Sequence, residues 1–255
     1  MKTISEKIQF PYRIPLVIVI VMVAFHAFLE SQTPNDELYL GIGVLLVTMS
    51  LAVSASCFVV SKIYGYSRIF GISYLILGVG YFFSFLGELS FVYYVDWLGE
   101  ESSPILGEIS FLILYVLILT HMAINIRYFA DRLFSYQKIL LAVIPIVMVL
   151  SYTYIVLDTG NVDYSQFPYS LVAISLSSLT VSFAIVGLTL FKKSALIIAW
   201  FLLLIGMFVG TIGDIANYYL VALGDFSSIS NYSTTLWVAS NAIIIYALYK
   251  HQKAI

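Results

Sequence analysis

The chain alternates long apolar stretches with short polar segments. A helix that crosses a membrane needs roughly 20 mostly apolar residues, and eight stretches of the sequence have this character. The segments between them are short, and no linker or soluble domain separates them. We therefore predict one transmembrane domain over residues 1–255 with about eight spans, at residues 13–30, 38–62, 68–95, 105–127, 138–157, 167–191, 194–221 and 231–249.

Composition supports a membrane protein of the all-α class. Hydrophobic residues make up 61% of the chain and charged residues only 10%, with a mean hydropathy of +0.99. Typical soluble domains carry about 25% charged residues, so this chain has too few charges to cover a water-exposed surface. We expect a polytopic helical bundle that contacts membrane lipid. No basic tract or nucleic-acid motif occurs, so we expect no nucleic-acid partner.

Charged residues divide by side in the eight-span arrangement. All twelve Lys and Arg fall on one side, whereas the other side collects acids such as Asp36, Asp96 and Asp158. A seven-span arrangement would mix the two signs. Basic loops stay cytoplasmic, so we predict a multi-pass protein of the cell membrane with both termini in the cytoplasm.

Short motifs recur in order at about half the chain length. Residues 20–23 return as 146–149, the Ser50–Ser54 pattern returns as Ser178–Ser182, and Gly87-Glu88 returns as Gly213-Asp214. Four spans in each half would insert in the same direction, which is typical of parallel repeats. We therefore predict a 4+4 internal repeat with halves at about 1–130 and 131–255.

Three acids fall within the predicted spans, namely Glu88, Glu108 and Asp214. A charged group in the hydrocarbon region costs several kcal/mol, so an intramembrane acid is a candidate functional residue. Glu108 follows Pro104 in a first turn near the interface, where solvation and the helix dipole explain it. Glu88 and Asp214 each end a face of small residues spaced four apart, and such faces allow close helix packing: Gly80 and Ser84 before Glu88, and Gly206 and Gly210 before Asp214.

Glu88 and Asp214 lie at a similar predicted depth, roughly 10 Å beyond the midpoint of their spans at 1.5 Å per residue. His26 in the first span lies at a similar level. We predict a polar pocket in the outer half of the bundle, with these three residues as catalytic candidates. Further binding candidates are Ser84, Tyr93, Asn217, Tyr219 and Asn241.

Two neighbouring buried carboxyl groups do not both ionise, which leaves an acid beside a base. That pair suits general acid–base hydrolysis and equally suits proton or cation binding. The alternative is a purely structural pair that locks the third and seventh spans together. His121, in the inner half of the fourth span, is best interpreted as a hydrogen bond to a neighbouring helix. The single cysteine, Cys57, excludes an internal disulfide, and we expect no metal site and no cofactor.

Three spans resemble the lysoplasmalogenase-like family, known in bacteria as YhhN. The similar segments are Phe83–Glu88, Gly206–Asp214 and Leu236–Asn241, in the third, seventh and eighth spans. The resemblance implies eight spans and hydrolysis of the vinyl-ether bond of lysoplasmalogens, with Glu88 and Asp214 as the catalytic candidates. Glu88 stands where the family has an aspartate.

Three classes of function remain open at the level of sequence. The first is a hydrolase of ether lysolipids, and the second is an ion- or proton-coupled transporter of a small molecule. The third is a sensor or assembly subunit without enzymatic activity, which would bind a partner or ligand.

Overall fold

The computed structural model describes residues 36–66, 69–99, 104–130, 132–160, 166–190, 197–223 and 226–254, with positions 17, 20, 21, 24 and 28. This part of the chain is helical throughout apart from its turns. A π-helical segment, Val92–Trp97, extends the second helix. The α-helices are α1 Asp36–Tyr64, α2 Ile69–Phe91, α3 Ile105–Phe129, α4 Ser135–Thr159, α5 Phe167–Leu190, α6 Ile197–Leu223 and α7 Phe226–Ala254.

These seven helices coincide with the second to eighth predicted spans. Six of them, α1 to α6, are long and apolar enough to cross a membrane, so the chain is a multi-pass helical membrane protein. The first predicted span lies mostly outside the described residues, and the count of eight therefore stays a prediction.

Helix α7 is as long as α1 but more polar. Its polar residues include Ser233, Thr234, Ser240 and Asn241, all of which are buried. A polar residue inside a bundle finds protein partners and avoids lipid: Ser240 Oγ donates to the Gly206 carbonyl of α6 at 2.8 Å. The low hydropathy of α7 thus reflects its burial between neighbouring helices.

Six helices close into a ring. Each packs against the next in the order α1, α2, α3, α5, α6, α7 and back to α1, while α4 lies outside and packs on α5 and α6. Helices α2 and α6 are consequently on opposite sides of the ring. Each is three positions from the other in either direction.

The two ends of the ring differ in charge. Chain direction alternates from helix to helix, which brings the described cations, among them Lys62, Arg127 and Lys250, to one end, here called the basic end. Glu108 in the first turn of α3 and Asp158 in the last turn of α4 lie at the other, the acidic end. The charge rule predicts that the basic end faces the cytoplasm.

Glycines bring α6 very close to α7. A Cβ atom at Gly206 would lie 2.5 Å from Ile244 Cγ1 and 3.3 Å from the Ser240 carbonyl oxygen. A Cβ at Gly213 would lie 3.0 Å from the Trp237 ring. This contact confirms that the small residues before Asp214 face protein, since small residues let membrane helices approach one another.

The contact between α2 and α3 follows the same pattern. A Cβ at Gly80 would lie 3.1 Å from Leu117 Cβ and 3.6 Å from the Leu114 carbonyl oxygen, and one at Gly87 would lie 3.0 Å from the Phe111 ring. Four of these five residues have a counterpart in the α6–α7 contact 126 positions later: Gly80 and Gly206, Gly87 and Gly213, Phe111 and Trp237, and Leu114 and Ser240. The residue closest to Gly206 is Ile244, one position beyond the counterpart of Leu117.

The glycine contact gives a first prediction. Replacing Gly206 with Ala forces Ile244 or the α7 backbone to move, and we expect a loss of stability of about 1–3 kcal/mol, as for other overpacked sites. Thermal unfolding of the purified protein in detergent measures it. Gly41 of α1 has no atom within 4 Å of its would-be Cβ, so Gly41→Ala is the matched control and should unfold at the same temperature or higher. Equal melting of Gly206→Ala and wild type would contradict the close contact.

Candidate functional site

The Asp214 carboxyl group is held by two hydrogen-bond donors from different helices. The Tyr115 hydroxyl of α3 donates to Oδ2, and Trp237 Nε1 of α7 donates to Oδ1 at 2.8 Å. Helix α7 is the neighbour of α6 in the ring, but α3 is separated from α6 by α5. The Tyr115 bond therefore crosses the ring interior, and Asp214 ties three helices together.

The site lies in the half of the ring nearer the acidic end. Asp214 is nine residues from the end of α6 at Leu223, which places it about 14 Å from that end at 1.5 Å per residue. Tyr115 and Trp237 lie ten and eleven residues after the first residues of α3 and α7. The three side chains thus meet at one level, in the half where the sequence predicts the pocket.

More hydroxyl groups surround this carboxyl. Tyr115 is 5% exposed, and its hydroxyl adjoins that of the fully buried Ser177 on α5. The Tyr169 and Tyr218 rings lie 6.3 Å apart, and Tyr218 follows Asp214 by one turn of α6. A region lined by hydroxyl groups therefore extends from Asp214 toward the acidic end.

Glu88 is a partly buried residue of α2. The hydrogen-bond partners of Asp214 are Tyr115 and Trp237 rather than Glu88. Helices α2 and α6 do meet across the ring toward the basic end, where the Tyr74 and Trp200 rings are 5.7 Å apart. Residues seven apart share a helix face, and two such series occur: Tyr74, Tyr81 and Glu88 on α2, and Trp200, Met207 and Asp214 on α6. The first two members of each series are buried in the core of the ring.

Three predicted binding residues point away from Asp214. Ser84 Oγ lies 3.3 Å from Ser50 Oγ of α1. The Tyr219 hydroxyl donates to the Met148 carbonyl of α4 at 2.8 Å, outside the ring. Tyr93 is 50% exposed in the π-helical segment.

Two predicted residues lie close to the site along the chain, and one is outside the described residues. Asn217 is partly exposed and follows Asp214 by one turn. Asn241 is 8% exposed and follows Trp237 by one turn, on the same side of α7. His26 lies outside the described residues.

A second polar cluster lies near the basic end. His251 is fully buried; its Nε2 is 2.7 Å from the Tyr74 hydroxyl and its Nδ1 is 3.4 Å from the Tyr64 hydroxyl. The sequence prediction ended the last span at residue 249, so it missed this residue. A usable signal existed, because His251 continues the buried face of Ile244 and Ala247 at helical spacing.

His121 makes the interhelical contact expected of it. Its Nδ1 donates to the Ser73 carbonyl of α2 at 2.9 Å, and its ring stacks on Trp200 with centroids 5.7 Å apart. Asn125 Nδ2 donates to the His121 carbonyl at 2.7 Å. Among the residues that the structure describes, no group of three or more His, Cys, Asp or Glu side chains is placed to hold a metal ion.

The hydrogen bonds of Asp214 give a second prediction. Tyr115→Phe keeps the ring but removes the donor, and a bond to a charged group contributes about 1.5–3 kcal/mol. We expect a clear fall in the melting temperature in detergent. Tyr154→Phe is the control, since Tyr154 is 68% exposed on α4 and its loss should change little. In a double-mutant cycle with Asp214→Asn the two losses should not add; simple additivity would argue against a direct bond.

The chain was compared with known proteins at three levels. No protein-family model, no curated protein and no solved structure matches it.

Proposed function

We propose that this protein is an intramembrane hydrolase of ether lysolipids, with Asp214 and Glu88 as its acid–base pair. The observation that carries the proposal is the Asp214 carboxyl held in the ring interior by Tyr115 and Trp237. A catalytic acid or base must be held in fixed geometry before substrate arrives, and two donors from different helices provide this. The substrate class comes from the family resemblance of the third, seventh and eighth predicted spans.

The similar packing of the α2–α3 and α6–α7 pairs supports Glu88 as the second carboxyl. The 126-residue correspondence of the α2–α3 and α6–α7 contacts favours a 4+4 parallel repeat, in which Glu88 is the counterpart of Asp214. The equivalent seven-residue series on α2 and α6 support an inward-facing Glu88, because these helices lie opposite each other in the ring. The proposed pocket is the space between the two carboxyl groups.

The proposed reaction is balanced with two carboxyls and one water. One carboxyl, as the acid, donates its proton to the β-carbon of the vinyl ether, which leaves an oxocarbenium ion. The other, as a carboxylate, takes a proton from water while the water oxygen bonds to the cationic carbon. The resulting hemiacetal then collapses: the first carboxylate takes back the hydroxyl proton, the second carboxyl protonates the leaving alcohol oxygen, and an aldehyde and an alcohol result.

The charge distribution favours entry of the substrate from one side of the membrane. With the basic end in the cytoplasm, as the charge rule predicts, the Asp214 site lies nearer the outer surface of the cell membrane. The proposed substrate is then a lysolipid of the outer leaflet, and its polar end approaches past Tyr169, Tyr218 and Glu108.

Hydrolysis by the purified protein is the direct test. We expect release of a fatty aldehyde from a lysoplasmalogen in detergent or nanodiscs. Asp214→Asn should lower the rate by about 100-fold or more, since positioned acid–base groups contribute 10²–10⁴-fold. Asp158→Asn is the matched control, because Asp158 is exposed in the last turn of α4 and its loss should leave the rate unchanged.

The result that counts against the proposal is equally specific. Absence of aldehyde release by the wild-type protein, or undiminished release by Glu88→Gln/Asp214→Asn, removes these residues from the proposed roles.

A proton-coupled carrier is the second candidate, and the His251 cluster favours it. One nitrogen of a neutral imidazole donates and the other accepts, so the ring that bridges Tyr64 and Tyr74 can pass a proton between them. Tyr64 is partly exposed near the basic end, whereas Tyr74 is fully buried. With Asp214 in the other half, protonatable groups then occur toward both ends of the ring, as a carrier requires.

Proton movement into proteoliposomes tests the carrier. If the His251 imidazole passes protons, a pH gradient should drive proton uptake into liposomes that contain the wild-type protein. The variant His251→Phe should reduce the rate of proton uptake at least tenfold. Tyr64→Phe should reduce it as well, with less disturbance of packing. His121→Asn is the control, because His121 is equally buried and packs on the Tyr74 ring but bonds Ser73 rather than a tyrosine hydroxyl. Flux that is absent in the wild type, or equal in wild type and His251→Phe, would eliminate the carrier.

A further inference from the structure

Helix α5 carries several buried hydroxyl side chains, and one of them differs from its neighbours. Ser178 Oγ donates to the Ser175 carbonyl at 2.9 Å, and Ser182 Oγ donates to the Ser178 carbonyl at 2.7 Å. Serine commonly satisfies its hydroxyl inside a helix in this way, by a bond to the preceding turn. Ser177 is equally buried, but among the residues that the structure describes its Oγ has no hydrogen-bond partner.

Ser177 lies at the level of the Asp214 carboxyl. It is ten residues after the first residue of α5, just as Tyr115 is ten residues after the first residue of α3, and both helices start at the acidic end. Its side chain adjoins the Tyr115 hydroxyl without the geometry of a hydrogen bond. The Tyr115 hydroxyl in turn donates to Asp214 Oδ2, so an unpaired hydroxyl lies beside this bond.

A second serine with the same property lies on α7. Ser233 is fully buried, and within the described part of the chain its Oγ also has no partner. It precedes Trp237 by one turn, on the same side of the helix and nearer the acidic end. The two helices that flank α6 in the ring thus each carry an unpaired hydroxyl next to one of the two donors to Asp214.

A buried hydroxyl group takes its hydrogen bonds from protein or from ordered water, and lipid offers none. We infer that water is bound beside Asp214, held by the Ser177 hydroxyl, with a second water position at Ser233. A buried water commonly makes about three hydrogen bonds. Ser177 can donate to it, while the Tyr115 oxygen and the Asp214 carboxylate can accept from it, so three helices supply its partners.

The bound water has a use in the proposed reaction, which consumes one water. Its binding follows from the unpaired hydroxyls, whereas its use as the attacking water rests on the proposed function. Ser177 is then the residue that orients this water next to a carboxyl that can take its proton.

X-ray radiolysis in H₂¹⁸O tests the inference without any substrate. Short pulses split bound water into hydroxyl radicals, which oxidise adjacent side chains and leave ¹⁸O that mass spectrometry locates. With the full chain in nanodiscs, we expect Tyr115 to be labelled about fivefold faster than Tyr74, because radicals form where water is bound. Tyr74 is the matched residue, since it is also buried and its hydroxyl is 2.7 Å from His251 Nε2.

Three variants test which hydroxyl holds the water. Ser177→Ala should abolish the excess labelling of Tyr115. Ser178→Ala is the control and should keep it, since Ser178 is equally buried on the same helix but bonds its own backbone. Ser233→Ala should lower the labelling of Trp237. If Ser177→Ala does not fold, Ser177→Cys takes its place, because a thiol is a weak hydrogen-bonding group.

The inference is overturned if Tyr115 is labelled no faster than Tyr74, if the excess survives the loss of the Ser177 hydroxyl, or if Ser178→Ala removes it equally. Unchanged labelling of Trp237 in Ser233→Ala removes the second water position. The excess label together with no aldehyde release would leave the water site standing and remove only the proposed hydrolysis. Aldehyde release without the excess label would do the reverse.

Discussion

A polar group inside a membrane must take its hydrogen bonds from the protein, because lipid offers none. The carboxyl of Asp214 meets this constraint with a tyrosine from across the ring and a tryptophan from the adjacent helix. The two bonds fix the positions of α3, α6 and α7 relative to one another. They also explain how an acid is retained among spans that are otherwise almost wholly apolar: the same donors that satisfy the carboxyl hold it in a defined place.

Close helix packing is the second requirement, and glycine supplies it. Apolar side chains gain little from meeting each other instead of lipid, so membrane helices associate through van der Waals contact and interhelical hydrogen bonds. Gly206 and Gly213 let α7 approach α6 closely enough for Ser240 to bond the Gly206 carbonyl and for Trp237 to reach Asp214. The small-residue face and the polar site therefore form one arrangement, and a larger side chain at either glycine would disturb both.

The sequence predicts much of the fold because the length of an apolar run is a direct physical requirement of the bilayer. Helices α1 to α6 begin and end within about four residues of the predicted spans. Helix α7 is longer than predicted and extends about five residues beyond its predicted span at each end. The order of helices around the ring is not predictable in this way, because hydropathy does not tell which apolar faces meet. The prediction of eight spans and of a repeat goes further than the described residues reach.

The site was predictable only in part, and the reason differs by residue. Asp214 stands out because a charge in an apolar run is costly. Tyr115 and Trp237 do not, because aromatic residues are common in membrane helices and their polar atoms show no pattern along the sequence. Tyr219 has a hydroxyl group that would suit the site, but it lies on another face of α6, where it donates to the Met148 carbonyl of α4. His251 lies beyond the predicted end of the last span at residue 249, yet the helix continues and buries the imidazole.

The π-helical segment after α2 makes the acidic end of α2 differ in geometry from that of α6. Leu98 N donates to the Tyr93 carbonyl at 3.1 Å, five residues back, which is a wider turn than the α-helix allows. Val95, seven residues after Glu88, lies within this segment and is 37% exposed, so the buried series of Tyr74 and Tyr81 does not continue there. Helix α6 has no such change of winding and runs regularly to Leu223. Glu88 therefore lies about one turn before the winding changes at Val92, whereas Asp214 lies inside an unbroken helix.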